Sequence, residues 1–448
     1  MEDLKPTLND LAAKVAELSE SFTRYLHDNN IPTPTLAADS PTSYVNLSAE
    51  AFVMRQKLLD ALMDMWYLTQ GPSESVFNYV HTCMPDAAVL NILNRFDFWS
   101  AVPLDGSASY AEIAAHTRLP QEVVQRVIEH ATTLRLFAYA DTEESSPRIR
   151  HTSRSAALAR SSGLRALVST VLDDAGPPMA VMGEALQRYN YGKTTLEQDM
   201  SQTAFSLLHS NETFGRYANS WEFIENDGEG ERKGWRQRNF VEFMNYIKEI
   251  FQLEKVVLEC FDWKAAGKAT VVDVGGSGGH DDMVLARNFP DLTITVQDLP
   301  QVKPVFEANL PGELKSRVSF MEHDFFQPQP VQADIYLIKL ILHDWPDREA
   351  VRILQALAPA MKPGARVVFI DYVGKQEGQA QGPSSVPRSI QQMGTATDLR
   401  MMALFAAKER PVSAWKDIFH KADDRFDVIR VESNPLTFMV VIEAVWRE

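Results

Sequence analysis

Apolar residues in the first part of the chain recur at helical spacing. Leu8, Leu11, Val15, Leu18, Phe22 and Leu26 form one face of a helix over residues 7–28. Residues 29–41 are rich in Pro, Ser and Thr and read as a linker. A single helix ahead of a linker cannot bury its stripe alone, so it is expected to pack on its own second domain or on a second subunit. Residues 49–100 are mainly helical by pattern. Residues 110–153 read as two short helices, a turn at Leu119–Pro120, a longer helix and a hairpin, which is a winged-helix pattern. Helical spacing returns over 155–260, where Trp221, Phe223, Trp235, Phe240 and Phe243 read as core.

From Ala269 the period changes. ATVVDV, LTITVQ, VSFMEHD, ADIYLIKLIL and ARVVFIDYV are apolar runs with little alternation, as expected of strands buried on both faces. Helix-like runs separate them, among them DDMVLARNF, VKPVFEANL and DREAVRILQALAPAM. The alternation predicts an α/β fold, a Rossmann-like, doubly wound, mostly parallel sheet. Residues 374–392 are rich in Gly, Gln, Ser and Pro and read as a loop. The run FDVIRVESNPLTFMVVIEAVW, turning at Asn434–Pro435, reads as a terminal antiparallel hairpin. The expected division is a helical arm with an all-helical, winged-helix-like domain over 1–165, then a catalytic domain over 166–448 whose sheet core begins near 250.

Composition narrows the partners. Among 448 residues, 45% are hydrophobic and the formal net charge is -16. A field of that sign repels phosphate backbones and anionic lipid, so no nucleic acid and no membrane partner is expected. The second helix of the winged-helix pattern sets Glu122 and Glu129 against Arg126 and Arg135, which is not a basic recognition face. Cys83 and Cys260 lie far apart without metal-ligand spacing, so neither a disulfide scaffold nor a metal site is expected. MEDLKPTLND is acidic and lacks a signal-like apolar core, and no uninterrupted apolar stretch would span a bilayer. A cytoplasmic protein is the expectation.

Candidate chemistry gathers at the ends of the predicted strands. The first runs into Gly275-Gly276-Ser277-Gly278-Gly279, where glycines allow a sharp turn and close approach of a ligand. The second ends in Asp298 and Leu299, and an acid there can accept hydrogen bonds from ribose hydroxyls. Asp281 and Asp282 at the start of the next helix would repel a diphosphate. A ribose ligand without phosphates fits better, and S-adenosyl-L-methionine is such a ligand. Asp324, followed by Phe325 and Phe326, suits the amino group and face of an adenine. His343 and Asp344 stand at the end of the buried run LIKLIL, where α/β sheets keep their active sites.

Together these segments resemble the class I S-adenosylmethionine-dependent O-methyltransferases of the plant caffeate/flavonoid type and their fungal relatives. DVGGSGG is similar to the family's DVGGGxG, VQDLPQV to FDLPxV, HDFF to GDMF, KLILHDWPD to KxxLHDWxD, and DLRMMALFAAKERPVSAW to DxxMMxxxxGGKERTxxEW. The motifs occur in family order over the last 180 or so residues, and the N-terminal helices fit the family's dimerisation domain more loosely. The resemblance implies a homodimer. It implies cofactor contacts from Gly275, Gly276, Asp298, Leu299, Asp324, Phe325 and Lys339. It implies His343 as general base, with Asp344 beside it and Glu409 orienting it, and a phenolic or enolic hydroxyl of a bulky natural-product intermediate as acceptor. Three positions depart from the pattern. Ser277 replaces a glycine, AAKERP (Ala406–Pro411) stands for GGKERT, and the second carboxylate expected after the strand that follows HDW is Gln376, with Glu377 next to it. Some fungal proteins of this fold keep the cofactor and instead dehydrate or cyclise polyketide–peptide intermediates. In such a pericyclase or lyase, Lys339 or the sulfonium would polarise a substrate carbonyl. The sequence leaves both readings open.

Overall fold

The computed structural model describes residues 5–44, 47–140, 146–210, 213–374, 386–434 and 438–448. The chain forms two compact units, one of Met1–Pro177, Ile224–Tyr246 and Pro387–Ile390, the other of Pro178–Phe223, Ile247–Val386 and Gln391–Glu448. Among the described residues no helix is long and apolar enough to cross a membrane.

In the first unit α1 (Leu8–Asp28) starts at a capping box, in which Asp10 N–H donates to Thr7 Oγ1 and Thr7 N–H donates to Asp10 Oδ2. It buries Leu11, Phe22 and Leu26. It packs along α2 (Ala49–Gln70), and the Phe22 ring meets Tyr44 edge-on at 5.4 Å. The partner of the apolar stripe is thus a helix of the same unit. Gly71, with φ +81°, turns the chain into α3 (Pro72–Arg95), which has proline at its first position. Helices Tyr110–Thr117 and Gln121–Thr133 pack with a small antiparallel sheet of order β1-β3-β2, formed by β1 (Ala108–Ser109), β2 (Phe137–Tyr139) and β3 (Arg148–His151). Leu93, Trp99, Ile113, Ile128, Phe137 and Ile149 form the core there.

The second unit is built on seven strands in the order β6-β5-β4-β7-β8-β10-β9. They are β4 (Thr270–Val274), β5 (Thr293–Asp298), β6 (Val318–Glu322), β7 (Ile335–Lys339), β8 (Arg366–Tyr372), β9 (Phe426–Asn434) and β10 (Met439–Trp446). β4 to β8 are parallel, and β10 joins β8 antiparallel with β9 outside it. The expected terminal hairpin is present, although the turn after Asn434 lies outside the described residues. Successive residues of one strand enter opposite cores. Val367 and Phe369 join Trp415, Ile418 and Phe419 on one face, whereas Val368 and Ile370 join Leu285 and Val257 on the other. Each such side chain is fully buried and worth about 1.5–3 kcal/mol. Strand order reverses between β4 and β7, the place where doubly wound sheets open a crevice at their C-terminal ends.

The segment expected as a loop over 374–392 is shorter than its composition suggests, because a helix begins at Arg388 and runs to Phe405. Its first turn is capped from elsewhere in the chain, with Arg388 N–H and Ser389 N–H both donating to the Asp60 carboxylate at 2.8 Å. Residues 375–385 lie outside the described residues, and with them Gln376 and Glu377.

Candidate active site

The residues singled out in the sequence collect at the C-terminal ends of β4 to β8 in two groups. The first surrounds the glycine loop. Gly275 takes φ +78°, and both Gly275 N–H and Gly276 N–H donate to the Gln297 carbonyl, at 2.8 and 3.1 Å. A methyl group on Gly275 would come within 2.7 Å of Ile341, with Phe325 next, and one on Gly276 would strike the Asp273 carboxyl. These two positions therefore have to be glycine. Ser277, which departs from the glycine pattern, still takes φ +52°, a left-handed conformation that costs a residue with a Cβ roughly 1–2 kcal/mol. Its N–H donates to Asp298 Oδ2 at 2.9 Å, while Leu299 N–H donates to Oδ1 at 2.7 Å. Burial pushes the Asp298 carboxyl up, and these two backbone donors oppose that. His323 N–H donates to the Asp298 carbonyl and Phe326 N–H to Asp324 Oδ1, so the ends of β5 and β6 are tied together.

Lys339, the last residue of β7, is held by Asp281 Oδ2, and Lys248 Nζ lies 3.9 Å from the same oxygen. Burial raises the Asp281 carboxyl, but Lys339 and Lys248 outweigh it and hold the group ionised. Below the loop, Asp273 and Asp282 form a buried carboxyl pair, and burial pushes Asp273 up to about 7.

The second group surrounds His343. Leu340 leaves β7 in a left-handed conformation, φ +54°, and the chain turns over Leu342–Asp344. Leu342 N–H and His343 N–H both donate to Asp371 Oδ2, at 3.0 and 3.2 Å. The ring is buried and lies edge-on to Tyr372, with centroids 4.9 Å apart. Nδ1 is 3.2 Å from Glu409 Oε1, and Nε2 is 3.6 Å from Asp344 Oδ1. Burial works against the imidazolium, but Asp344, Asp371 and Glu409 together push His343 up to about 10. Burial also raises Asp344, to about 6, and Asp371, to about 7. An imidazole tied at Nδ1 and surrounded by carboxylates is a strong proton holder at Nε2.

Arg410 fixes this arrangement and was not singled out in the sequence. It is fully buried. Its guanidinium donates to the Leu342 carbonyl at 3.0 Å, to the Trp345 carbonyl at 2.7 Å and to Asp347 Oδ1 at 2.8 Å, and it lies over the Trp415 ring. Glu409 N–H donates to Asp398 Oδ1 at 2.7 Å. The segment that presents Glu409 is thus bonded to the turn that presents His343. Ala406, where the family pattern has glycine, keeps the left-handed conformation with φ +53°. A further acid stands beside the His343 turn, Asp371 at the end of β8, whereas Gln376 and Glu377 lie outside the described residues. The sequence signal for it was a lone acid closing an otherwise apolar strand.

Comparison with known proteins agrees with this geometry. Residues 198–423 match the model of the O-methyltransferase domain. O-methyltransferase lcsG of Purpureocillium lilacinum is 43% identical over 98% of this chain and 94% of its own. Among solved structures, the mitomycin 7-O-methyltransferase MmcR superposes with a TM-score of 0.67 at 20% identity, over 84% of this chain and 98% of that one. A structure described as a pericyclic reaction enzyme gives 0.69 at 21% identity, over 98% of this chain and 100% of that one. At such identities the two structures speak for the fold.

Proposed function

The chain belongs to the O-methyltransferase family, and on that premise we propose that it methylates a phenolic or enolic hydroxyl of a bulky natural-product intermediate. S-adenosyl-L-methionine is the cofactor, and when bound it supplies an electrophilic methyl group on a sulfonium. The residues present fit it. At Gly275 and Gly276 a Cβ would strike Ile341 and Asp273, so the loop keeps a bare backbone at the end of β4, and Asp298 stands buried at the tip of β5 for a ribose. Leu299, Asp324, Phe325 and Lys339 would complete the contacts.

The observation that carries the reading is His343. With Nδ1 bonded to Glu409, Nε2 is the nitrogen left for an acceptor hydroxyl. Asp344, Asp371 and Glu409 stabilise the imidazolium. An acceptor that arrives ionised therefore stands as an oxyanion beside the imidazolium, which stabilises it. Positioning of that oxygen supplies much of the rate. The alternative, a cofactor-retaining pericyclase, asks Lys339 to polarise a carbonyl. Its side chain is 5% exposed and its ammonium is held by Asp281, which favours methyl transfer.

The test is to supply methyl-labelled cofactor with phenolic and enolic acceptors. The expected product carries the label and appears with S-adenosylhomocysteine, and His343→Ala lowers kcat about 10²–10⁴-fold. Product of unchanged mass without S-adenosylhomocysteine would overturn the reading and favour the pericyclase.

We also infer a homodimer. Its seat is the end of α2 and the start of α3, where Trp66, Phe77, Tyr79, Val80 and Met84 are all more than 60% exposed. An apolar surface of this kind on one pair of helices marks an interface.

A further inference from the structure

Lys248 is in the last turn of the helix Trp235–Ile250 and belongs to the second unit. Its Nζ lies 3.9 Å from Asp281 Oδ2. Asp281 follows the glycine loop by two residues, and the same oxygen accepts from Lys339 at the end of β7. Lys248 therefore stands where the glycine loop and β7 come together, at the reversal of strand order.

The two lysines are not equivalent. Lys339 has a side chain 5% exposed and donates a hydrogen bond to Asp281. The Lys248 side chain is 29% exposed, and 3.9 Å is too long for a hydrogen bond. An ammonium carries three N–H donors. Among the described residues, those of Lys248 meet no hydrogen-bond acceptor. Burial pulls the Lys248 ammonium below the ordinary lysine range and the Lys339 charge adds to that, against Asp281, Asp273 and Asp282. A cation kept beside another cation with its donors unused is suited to an anion from outside the chain.

The cofactor brings such an anion, because its amino-acid end carries a carboxylate. Asp298 and Asp324, offered above to the ribose and the adenine, are acceptors and cannot serve it, and Lys339 is engaged by Asp281. A single carboxylate is a smaller demand than the diphosphate that Asp281 and Asp282 would repel, since Lys339 already pairs with Asp281. An acidic acceptor is a weaker candidate, because no described contact joins Lys248 to the carboxylates around His343. We propose that Lys248 holds the α-carboxylate of S-adenosyl-L-methionine. This rests on the cofactor and not on methyl transfer, since a retained cofactor has the same carboxylate.

The test is a calorimetric cycle on the full-length protein with three ligands. They are S-adenosylhomocysteine, its decarboxylated form, which keeps the amine, and 5′-methylthioadenosine, which lacks the whole amino-acid end. None of them is a methyl donor, so the readout is independent of the reaction. The wild type is expected to bind S-adenosylhomocysteine about tenfold or more tightly than the decarboxylated form, as for a charge-assisted hydrogen bond. Lys248→Met should remove most of that preference and leave 5′-methylthioadenosine binding as it is in the wild type. Lys248→Arg should keep most of the preference. A wild type that binds 5′-methylthioadenosine but shows no preference for the carboxylate overturns the proposal and leaves the cofactor in place. A preference that survives Lys248→Met overturns it as well, because another group then holds the carboxylate. Equal weakening of all three ligands in Lys248→Met also overturns it, because Lys248 would then act only by supporting Asp281.

Discussion

Replacing Glu409 by Gln removes one charge from beside His343 and nearly preserves the side chain's shape. The rise of the imidazole from its ordinary 6.5 to about 10 amounts to about 5 kcal/mol in favour of the imidazolium, at about 1.36 kcal/mol per pKa unit. Burial opposes that rise, so the three carboxylates together contribute at least this much. An even share among the three is about 1.6 kcal/mol, and Glu409, which also bonds to Nδ1, is given that share, so Glu409→Gln should bring His343 down by about one unit. The sign is fixed by the removed anion, since the proton leaves at lower pH. The assay is an NMR titration of histidine ring carbons, with His343→Gln identifying the resonance. Stability offers a second readout. The native protein keeps the His343 proton between pH 6.5 and about 10, whereas the unfolded chain loses it near about 6.5, so wild-type stability falls with rising pH by up to about 1.4 kcal/mol per unit in that window. Asp344 and Asp371 titrate at about 6 and about 7, mostly below it. In Glu409→Gln the fall should end sooner, and the slope of Tm between pH 9 and 10 should flatten. A His343 resonance that titrates at the same pH in both proteins would refute the assignment of the imidazole's basicity to these carboxylates.

Asp298→Asn should cost roughly 2–4 kcal/mol of cofactor affinity by calorimetry, because Asp298 is the acid offered to the ribose and also holds Ser277 N–H and Leu299 N–H; an unchanged Kd would dismiss its binding role. Phe77→Asp combined with Val80→Asp, both at exposed positions of α3, should shift a dimer to monomer in sedimentation at micromolar concentration. A dimer that survives these changes and dissociates only when residues 1–35 are removed would put the interface on α1.

Strands β4 to β8 were legible because burial on both faces leaves almost uninterrupted apolar runs, and the acids at their tips stand out against them. Asp298 and His343 could be found this way. Asp371 also closes such a run, but its role depends on the amides of Leu342 and His343 lying within reach, 28–29 residues away in the chain. Local pattern cannot convey that closeness. The same holds for the helix at Arg388, which looks like a loop by composition and is capped by a carboxylate 328 residues earlier. Periodicity identified the apolar face of α1 correctly and left its partner open, because a stripe specifies a surface and not what covers it. Arg410 drew no notice because a charged residue in a polar motif reads as solvated, whereas three acceptors keep it in the core.

The antiparallel entry of β10 beside β8 has a consequence for the order of synthesis. A ribosome delivers β8, with Asp371 near its end, well before it delivers β10, whose Val440 lies opposite Asp371. Until then β8 has β7 on one side and bare N–H and C=O groups on the other. The nascent chain therefore passes through a stage in which the strand that braces the His343 turn is an open edge, able to pair with a neighbouring chain. Arrival of β10 closes that edge and makes β8 an interior strand.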